Sequence, residues 1–143
     1  MRKYLPTFAD LVDRLSIVLL KSIFIPEHHQ EYLDEAKLIE HDLNMFFDSF
    51  KNRKAKLFGV RELKAGMVIM LANRFIWENE SKARQGGSDQ DKLLKATHSV
   101  NGIRAVAKNV LSRWLDERED LKVDCLAADL PPEFGNWRGL FDA

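Results

Sequence analysis

The sequence predicts an all-α protein, an antiparallel bundle of about four helices followed by an irregular C-terminal arm. Four segments carry apolar residues at the three-to-four-residue spacing that marks one face of a helix. Helix-stopping residues separate these segments, namely Pro26, Gly59 and the pair Gly86-Gly87. Two capping-box patterns mark places where helices begin.

The composition fits one soluble domain with a core of its own. The chain has 143 residues, of which 45% are hydrophobic and 31% charged, and this is the usual size of a single domain. Lysine and arginine together number 22, as do aspartate and glutamate, so the formal net charge is zero. A neutral chain is atypical of a general nucleic-acid binder, which carries a basic excess. A neutral surface also does little to oppose self-association.

The single cysteine, Cys125, excludes an intramolecular disulfide and a multi-cysteine zinc site. It fits a reducing compartment, so we expect a cytoplasmic protein. The longest apolar stretch, Leu15 to Ile25, contains Lys21 and is shorter than the about 20 residues that a transmembrane helix needs. We therefore expect no membrane partner.

The first helix is predicted to run to about Phe24, and the second to start at Pro26. Thr7 is the predicted N-cap of the first helix, and Asp10 completes a capping box with it. Pro26 pushes the residue before it out of the helical region, so the first helix must stop there. The second helix carries a heptad-like seam, which consists of Tyr32, Ala36, Ile39, Leu43, Phe46 and Phe50.

The third and fourth helices are predicted from about Val60 to Arg84 and from about Gln90 to Glu119. Met67 to Ala72 is apolar on every side, which predicts that the third helix is central and surrounded. Ser88 is expected to cap the fourth helix, and its charged last part, Asp116 to Asp120, is expected to be solvated. The apolar stripe of the fourth helix consists of Leu93, Ala96, Val100, Ile103, Ala107, Val110, Leu111 and Trp114.

These helices give a helical domain over residues 1–120 and an arm over residues 121–143. Leu121 to Cys125 alternates apolar and polar residues, as an extended segment does. Pro131-Pro132 excludes a long helix further on. The hydrophobic residues Trp137, Leu140 and Phe141 cannot be buried within the arm itself, so we expect the arm to pack on the domain or on a neighbouring subunit.

Two polar stripes form the candidate functional site. Residues spaced by four, three and four positions share one helix face. The stripe of the third helix consists of Asn73, Trp77, Glu80 and Arg84. The stripe of the fourth helix consists of Thr97, Asn101, Arg104 and Lys108. A short Gly-rich connection favours a helical hairpin, in which the two stripes could face each other.

The stripes have an architectural and a functional interpretation. In the first, Glu80 pairs with Arg104 or Lys108, and the asparagines fix the register of the helices. In the second, Arg104 and Lys108 clamp a phosphate or carboxylate, while Asn73 and Asn101 orient the ligand. Trp77 would then stack on the ligand, and Glu80 would bind a cation or act as a base.

The sequence predicts neither a metal site nor a cofactor. His28 and His29 are adjacent, so they point about 100° apart on a helix, and His41 projects away from the seam. We find no Gly-rich phosphate loop, nucleophile elbow or H-E-x-x-H motif.

Three blocks of the sequence, in this order, carry a family resemblance. They are Thr7-x-x-Asp10-Leu11-x-Asp13-Arg14-Leu15-Ser16-Ile17-x-x-x-Lys21, then Leu71-x-Asn73-x-x-Ile76-Trp77-Glu78-x-Glu80-x-x-x-Arg84, then Val100-Asn101-x-x-Arg104-Ala105-x-x-Lys108. Together they resemble a family of small bacterial helical proteins of unknown function, often encoded beside polysaccharide or lipopolysaccharide synthesis genes. The chain departs from the family pattern at His98, where tyrosine is usual, and at Gly102, where an acidic residue is usual. The short chain also fits a phage-encoded relative.

The resemblance implies an all-helical fold with a polar signature and no known activity. It adds two residues of the first helix, Asp13 and Lys21, to the stripe residues as candidates. The full signature consists of Asp13, Lys21, Asn73, Trp77, Glu80, Asn101, Arg104 and Lys108.

Two hypotheses about function follow. The first is a helical interaction or scaffold protein that forms homo-oligomers, based on the second-helix seam, the zero net charge and the apolar arm. The alternative is binding or hydrolysis of a phosphorylated small molecule, such as a nucleotide or nucleotide-sugar, between the third and fourth helices. The paired E-x-x-E and E-x-x-D motifs of all-helical nucleotide pyrophosphohydrolases have no clear counterpart, so interaction is favoured over catalysis. A nucleic-acid role for the basic run from Lys51 to Lys56 ranks third.

Overall fold

A computed structural model of the chain, which describes residues 1–50, 57–121 and 130–141, confirms the predicted all-α fold. Helix α1 spans Phe8–Phe24 and α2 spans His29–Phe50, with a single 3₁₀ turn, Pro26–His28, between them. Helix α3 spans Val60–Arg84 and α4 spans Gln90–Trp114. A second 3₁₀ turn, Pro132–Phe134, lies in the C-terminal arm. The predicted loop residues 52–56, the predicted extended segment beyond Leu121, the basic run and Cys125 lie outside the described residues.

The capping box of α1 is confirmed. The Thr7 hydroxyl accepts a hydrogen bond from the Asp10 amide at 3.1 Å, and the Asp10 carboxylate accepts one from the Thr7 amide at 3.0 Å. The two side chains thereby satisfy backbone donors that a helix start leaves without partners. At the other end, Ile25 leaves the helical conformation immediately before Pro26.

Helix α1 lies between the other helices. On one side it packs against the hairpin of α3 and α4, and on the other side it packs along α2. The heptad-like seam of α2 is used in this second contact, because Ala36 and Ile39 are buried against Val18 of α1. The seam from Tyr32 to Phe46 is therefore part of the chain's own core.

A cluster of aromatic rings closes one end of the bundle. Phe8, at the start of α1, has its ring centroid 5.8 Å from that of Phe46 and 5.5 Å from that of Phe47. The centroid of Trp114, the last residue of α4, lies 5.2 Å from that of Phe8 and 5.0 Å from that of Phe58. Edge-to-face pairs at these separations add to the stabilisation from burial. Helix α2 reaches the α3–α4 hairpin mainly through these rings.

The expectation that α3 is surrounded is wrong. Met67 and Leu71 are 58% and 56% exposed, while Val68, Ile69 and Ala72 are buried. The difference has a structural reason. Helix α2 packs on α1 rather than along α3, so none of the helices in the described residues lies over the outward face of α3.

The fourth helix begins and ends differently from the prediction. Its N-cap is Asp89, and neither Asp89 nor Ser88 caps it with a side-chain hydrogen bond. The helix stops at Trp114 instead of Glu119, and Asp116 takes a left-handed conformation with φ of 52°. The chain turns there, and the Glu117 amide donates back to the Ser112 carbonyl at 2.9 Å.

The segment after α4 is tied to the domain rather than simply solvated. The Phe8 amide donates to the Glu117 carboxylate at 2.9 Å. The buried Asn109 side chain exchanges two hydrogen bonds with the Asp120 backbone, at 2.9 Å and 2.8 Å. These bonds hold residues 117–120 beside the start of α1.

The described part of the C-terminal arm lies on the α3–α4 hairpin. The Trp137 ring centroid lies 5.5 Å from that of Phe75, and the Phe134 ring centroid lies 5.8 Å from that of Phe75. Leu140 and Phe141 are partly buried against the core, and the Lys64 ammonium lies 4.9 Å from the Phe141 ring centroid. Trp137, Leu140 and Phe141 are thus in contact with the rest of the chain.

Candidate functional site

A buried asparagine joins three helices at the centre of the candidate site. Asn73 of α3 is only 4% exposed. Its amide nitrogen donates to the Asp13 carboxylate at 2.7 Å and to the Ser16 hydroxyl at 2.6 Å, both on α1. Its amide oxygen accepts a hydrogen bond from the Arg104 guanidinium of α4 at 2.6 Å. Each polar atom of this buried amide therefore has a partner, as a buried polar group requires.

The cations of the α4 stripe are paired with carboxylates of α1. The Lys108 ammonium lies 3.0 Å from an Asp10 carboxylate oxygen and 3.7 Å from an Asp13 carboxylate oxygen. Arg104 lies 4.0 Å from Asp13 and also donates to the Asn101 side chain. The two predicted stripes do meet at Asn73 and Arg104, but the acidic partners come from α1 and not from α3.

The surroundings of Asp10 favour its ionised form. Partial burial raises the pKa of this carboxyl group, but the Thr7 amide that donates to it and the adjacent Lys108 ammonium lower it more, so the pKa lies below its ordinary value. The carboxylate is thus charged over the whole physiological range. It acts as a counterion for the neighbouring cations.

A polar cleft of about 650 Å³ opens beside this network, between the start of α1, the second half of α4 and residues 118–121. We call it the polar cleft. Its charged and polar lining includes Tyr4, Asp10, Asn101, Arg104, Lys108 and Arg118.

Arg118 and Tyr4 are members of the cleft that the sequence did not indicate. The Arg118 guanidinium lies 4.0 Å from the Tyr4 ring centroid, 3.7 Å from the Asp10 carboxylate, and donates to the Leu5 carbonyl. Arg118 reaches this place because the chain turns at Asp116. A helix continued to Glu119 would have carried it away from α1, and no residue spacing signals the turn.

Four other candidates lie outside the cleft. Glu80 lies 3.9 Å from Arg84, four residues along the same helix, and both side chains are exposed. Glu80 therefore pairs with Arg84 and not with Arg104 or Lys108. Trp77 is partly buried on α3 but does not line the cleft. The Lys21 ammonium lies 5.7 Å from the Tyr32 ring centroid, against α2.

Three of the four histidines have local partners, and His98 is exposed on α4. His28 lies 3.2 Å from Glu31 and His41 lies 3.1 Å from Asp42, in each case within the same stretch of chain. The His29 ring lies 2.7 Å from the Ser22 carbonyl oxygen. Within residues 1–50, 57–121 and 130–141, no three His, Cys, Asp or Glu side chains are grouped so that they could hold a metal ion.

An apolar surface on the outward face of α3 is the second candidate site. Val60, Leu63, Met67 and Leu71 follow one another at spacings of three, four and four residues, and all four are exposed. We call these four residues the α3 apolar surface. A solvated helix face normally carries charged side chains, so a row of large apolar residues over three turns makes this face a candidate interaction surface.

The α3 apolar surface continues into a groove between α3 and α1. This groove, of about 310 Å³, has Leu63, Met67 and Met70 on its α3 side. Its α1 side is formed by Val12, Leu15 and Leu19. Gly66 widens the groove, because a residue without a side chain stands between the two helices.

Comparisons with protein-family models, with curated proteins and with solved structures find no match for this chain. The resemblance to small bacterial helical proteins therefore stays a prediction. Across the ranges that the structure describes, none of the helices has the length and hydrophobicity needed to cross a membrane.

Proposed function

We propose that this protein is a helical interaction protein that self-associates through the α3 apolar surface. The observation that carries this proposal is the exposure of Val60, Leu63, Met67 and Leu71 on one face of α3. The other support expected from the sequence is weaker, because the α2 seam packs against α1, and Trp137, Leu140 and Phe141 of the arm contact the rest of the chain. The interaction surface is therefore assigned to α3.

The occupant of this surface in the proposal is a second copy of the chain. Two antiparallel α3 helices related by a two-fold axis at Met67 would bring the two Met67 side chains together. The same arrangement brings Leu63 of each copy opposite Leu71 of the other, so apolar residues meet at these three positions, while Val60 lies opposite Arg74 of the other copy. Such an isologous contact needs a surface that is complementary to itself, and the row of Leu63, Met67 and Leu71 meets this requirement. The zero net charge of the chain removes long-range repulsion between copies.

The groove beside α3 supports the same arrangement. Its α1 side chains, Leu15 and Leu19, are only partly buried within one chain. Packing of a neighbouring helix along α3 would cover them together with Met67 and Met70. We also propose a cytoplasmic location, as expected from the single cysteine.

The test is sedimentation velocity of the wild type and of Met67→Glu from micromolar to sub-millimolar concentration. Burial of a methionine side chain contributes about 1.5–3 kcal/mol, and a buried unpaired carboxylate costs more. We expect the wild type to form a dimer and Met67→Glu to raise its dissociation constant by at least about 100-fold, since about 1.4 kcal/mol corresponds to a factor of ten.

The matched control is Leu38→Glu, which places the same charge on an apolar position of α2 that is at least as exposed as Met67. Leu38 is 71% exposed and lies on α2, away from the α3 apolar surface. This variant is expected to dimerise like the wild type. A wild type that stays monomeric throughout the concentration range would overturn the proposal, and so would equal effects of the two substitutions.

A further inference from the structure

Five charged groups in and beside the polar cleft form a chain of contacts in which the sign of the charge alternates. Arg104 is followed by Asp13, then Lys108, Asp10 and Arg118, with neighbouring groups 4.0, 3.7, 3.0 and 3.7 Å apart. Three cations are thus held together by two carboxylates, which leaves one positive charge in excess. These carboxylates belong to α1, whereas the cations belong to α4 and the turn after it.

The cations of this row keep unused capacity to donate hydrogen bonds. Among these four ion contacts, only the one between Lys108 and Asp10 is as short as a hydrogen bond, while the three others are 3.7 Å or longer. Arg104 also donates to the Asn73 and Asn101 side chains, and Arg118 donates to the Leu5 carbonyl. A guanidinium has five N–H donors and an ammonium has three. Arg104, Lys108 and Arg118 all line the cleft and are all partly exposed in it. An acceptor with more oxygens and more charge than one carboxylate would bind these groups better than Asp10 does.

The cleft has the size and the lining of a small-molecule site. Its volume of about 650 Å³ lies within the range of about 300–1,000 Å³ that ligand pockets occupy. The Asn101 amide and the Tyr4 ring stand beside the cations and offer a hydrogen-bonding group and an apolar face. Glu119 and Asp120 also line the cleft, and Glu119 is held by Arg113 at 2.8 Å.

We propose that the polar cleft binds a small molecule that carries a phosphate or diphosphate group, which displaces the Asp10 carboxylate from Lys108 and Arg118. A phosphate offers three or more acceptor oxygens and close to two negative charges, and it therefore satisfies donors that a carboxylate leaves at 3.7 Å. A ligand with only one carboxylate would exchange for Asp10 without gain.

This site differs from the one expected between the third and fourth helices. It lies between α1, α4 and the turn after α4, it includes Arg118 and Tyr4, and it excludes Trp77 and Glu80. It also contains its own competitor, because Asp10 occupies the place of the ligand. Because a ligand in the cleft competes with Asp10, substitution of Asp10 distinguishes binding in the cleft from binding elsewhere on the surface. Binding in the cleft does not depend on self-association through α3.

The experiment is isothermal titration calorimetry with inorganic pyrophosphate and with ATP, each with and without magnesium. We expect the wild type to bind at least one of these probes, and Lys108→Met and Arg118→Met each to weaken binding about tenfold, as loss of one charge-assisted hydrogen bond does. Asp10→Asn removes the competing charge while keeping the side-chain shape. It is expected to tighten binding by about tenfold.

Lys95→Met is the matched control, because Lys95 is an exposed lysine of α4 that does not line the polar cleft. It should leave the affinity unchanged. The gain of affinity in Asp10→Asn cannot be produced by partial unfolding, so it keeps the test decisive if Lys108→Met is unstable. Absence of binding to both wild type and Asp10→Asn would overturn the proposal. Binding that Lys108→Met and Arg118→Met leave intact would overturn it as well.

Discussion

Replacement of Asn73 by alanine tests the claim that the polar network holds three helices together. The substitution removes three hydrogen bonds of 2.6–2.7 Å, to Asp13, Ser16 and Arg104. Hydrogen bonds to charged groups contribute about 1.5–3 kcal/mol each and neutral ones about 1 kcal/mol. The side chains of Asp13 and Arg104 are 16% and 25% exposed, so water replaces part of the hydrogen bonding that these two groups lose. We expect the free energy of unfolding to fall by about 3 kcal/mol.

The assay is equilibrium unfolding in urea, followed by circular dichroism, together with a thermal melt. A loss of about 3 kcal/mol corresponds to a fall of roughly 10 °C in Tm for a domain of this size. Asn101→Ala is the control, because Asn101 is exposed and its side chain accepts a hydrogen bond from Arg104 alone among the described residues. It should cost less than about 1 kcal/mol. A similar small loss for Asn73→Ala would refute the reasoning.

Two further predictions concern the acid stability and the arm. Because the pKa of Asp10 is lowered in the folded state, its charge stabilises the fold above about pH 4, and this stabilisation is lost as the pH falls through the folded-state pKa. Asp10→Asn should therefore lower the free energy of unfolding at pH 7 and make it less dependent on pH below about 4. The measurement is urea unfolding of the wild type and of Asp10→Asn at several pH values. A parallel loss of stability in the two proteins would contradict the prediction. Trp137→Ala removes the ring that contacts Phe75. Trypsin should therefore cleave after Arg138 several-fold faster, while the circular dichroism spectrum stays helical. An unchanged cleavage rate would contradict the packing of the arm on the hairpin.

Features that depend on neighbouring residues in the sequence could be predicted. The capping box of Thr7 and Asp10 involves residues three apart, and Pro26 acts on the residue directly before it. The apolar stripe of α4 is likewise a local pattern, and all of its members are buried except Leu93, which is partly buried. Such features follow from chain geometry alone and need no knowledge of how the helices pack.

The identity of the carboxylate in the polar network depends on how the helices pack and could not be predicted from the sequence. The meeting of Asn73 and Arg104 follows from a hairpin of α3 and α4, but their partner Asp13 lies 60 residues before Asn73. The place of α1 against the hairpin decides that contact. Glu80, in contrast, pairs with Arg84 within its own helix, since four residues along a helix bring the two side chains close.

An apolar segment has two physical solutions, and the sequence of α3 does not choose between them. Met67 to Ala72 can be covered by other helices of the chain or by a second molecule. In this structure α2 uses its seam on α1, and the outward side of α3 is left exposed. The end of α4 could not be predicted from the sequence either, because no sequence signal marks the turn at Asp116, a non-glycine residue with φ of 52°.

Disulfide trapping tests the central claim, that two copies meet through α3, most directly. In a Cys125→Ser background, Met67→Cys would place the only thiol of the chain at the proposed two-fold axis. Leu38→Cys in the same background places a thiol of similar exposure on α2. Under mild oxidation we expect Met67→Cys to form covalent dimers rapidly and Leu38→Cys to stay largely monomeric. Equal rates for the two variants, or no dimer with Met67→Cys, would contradict the account.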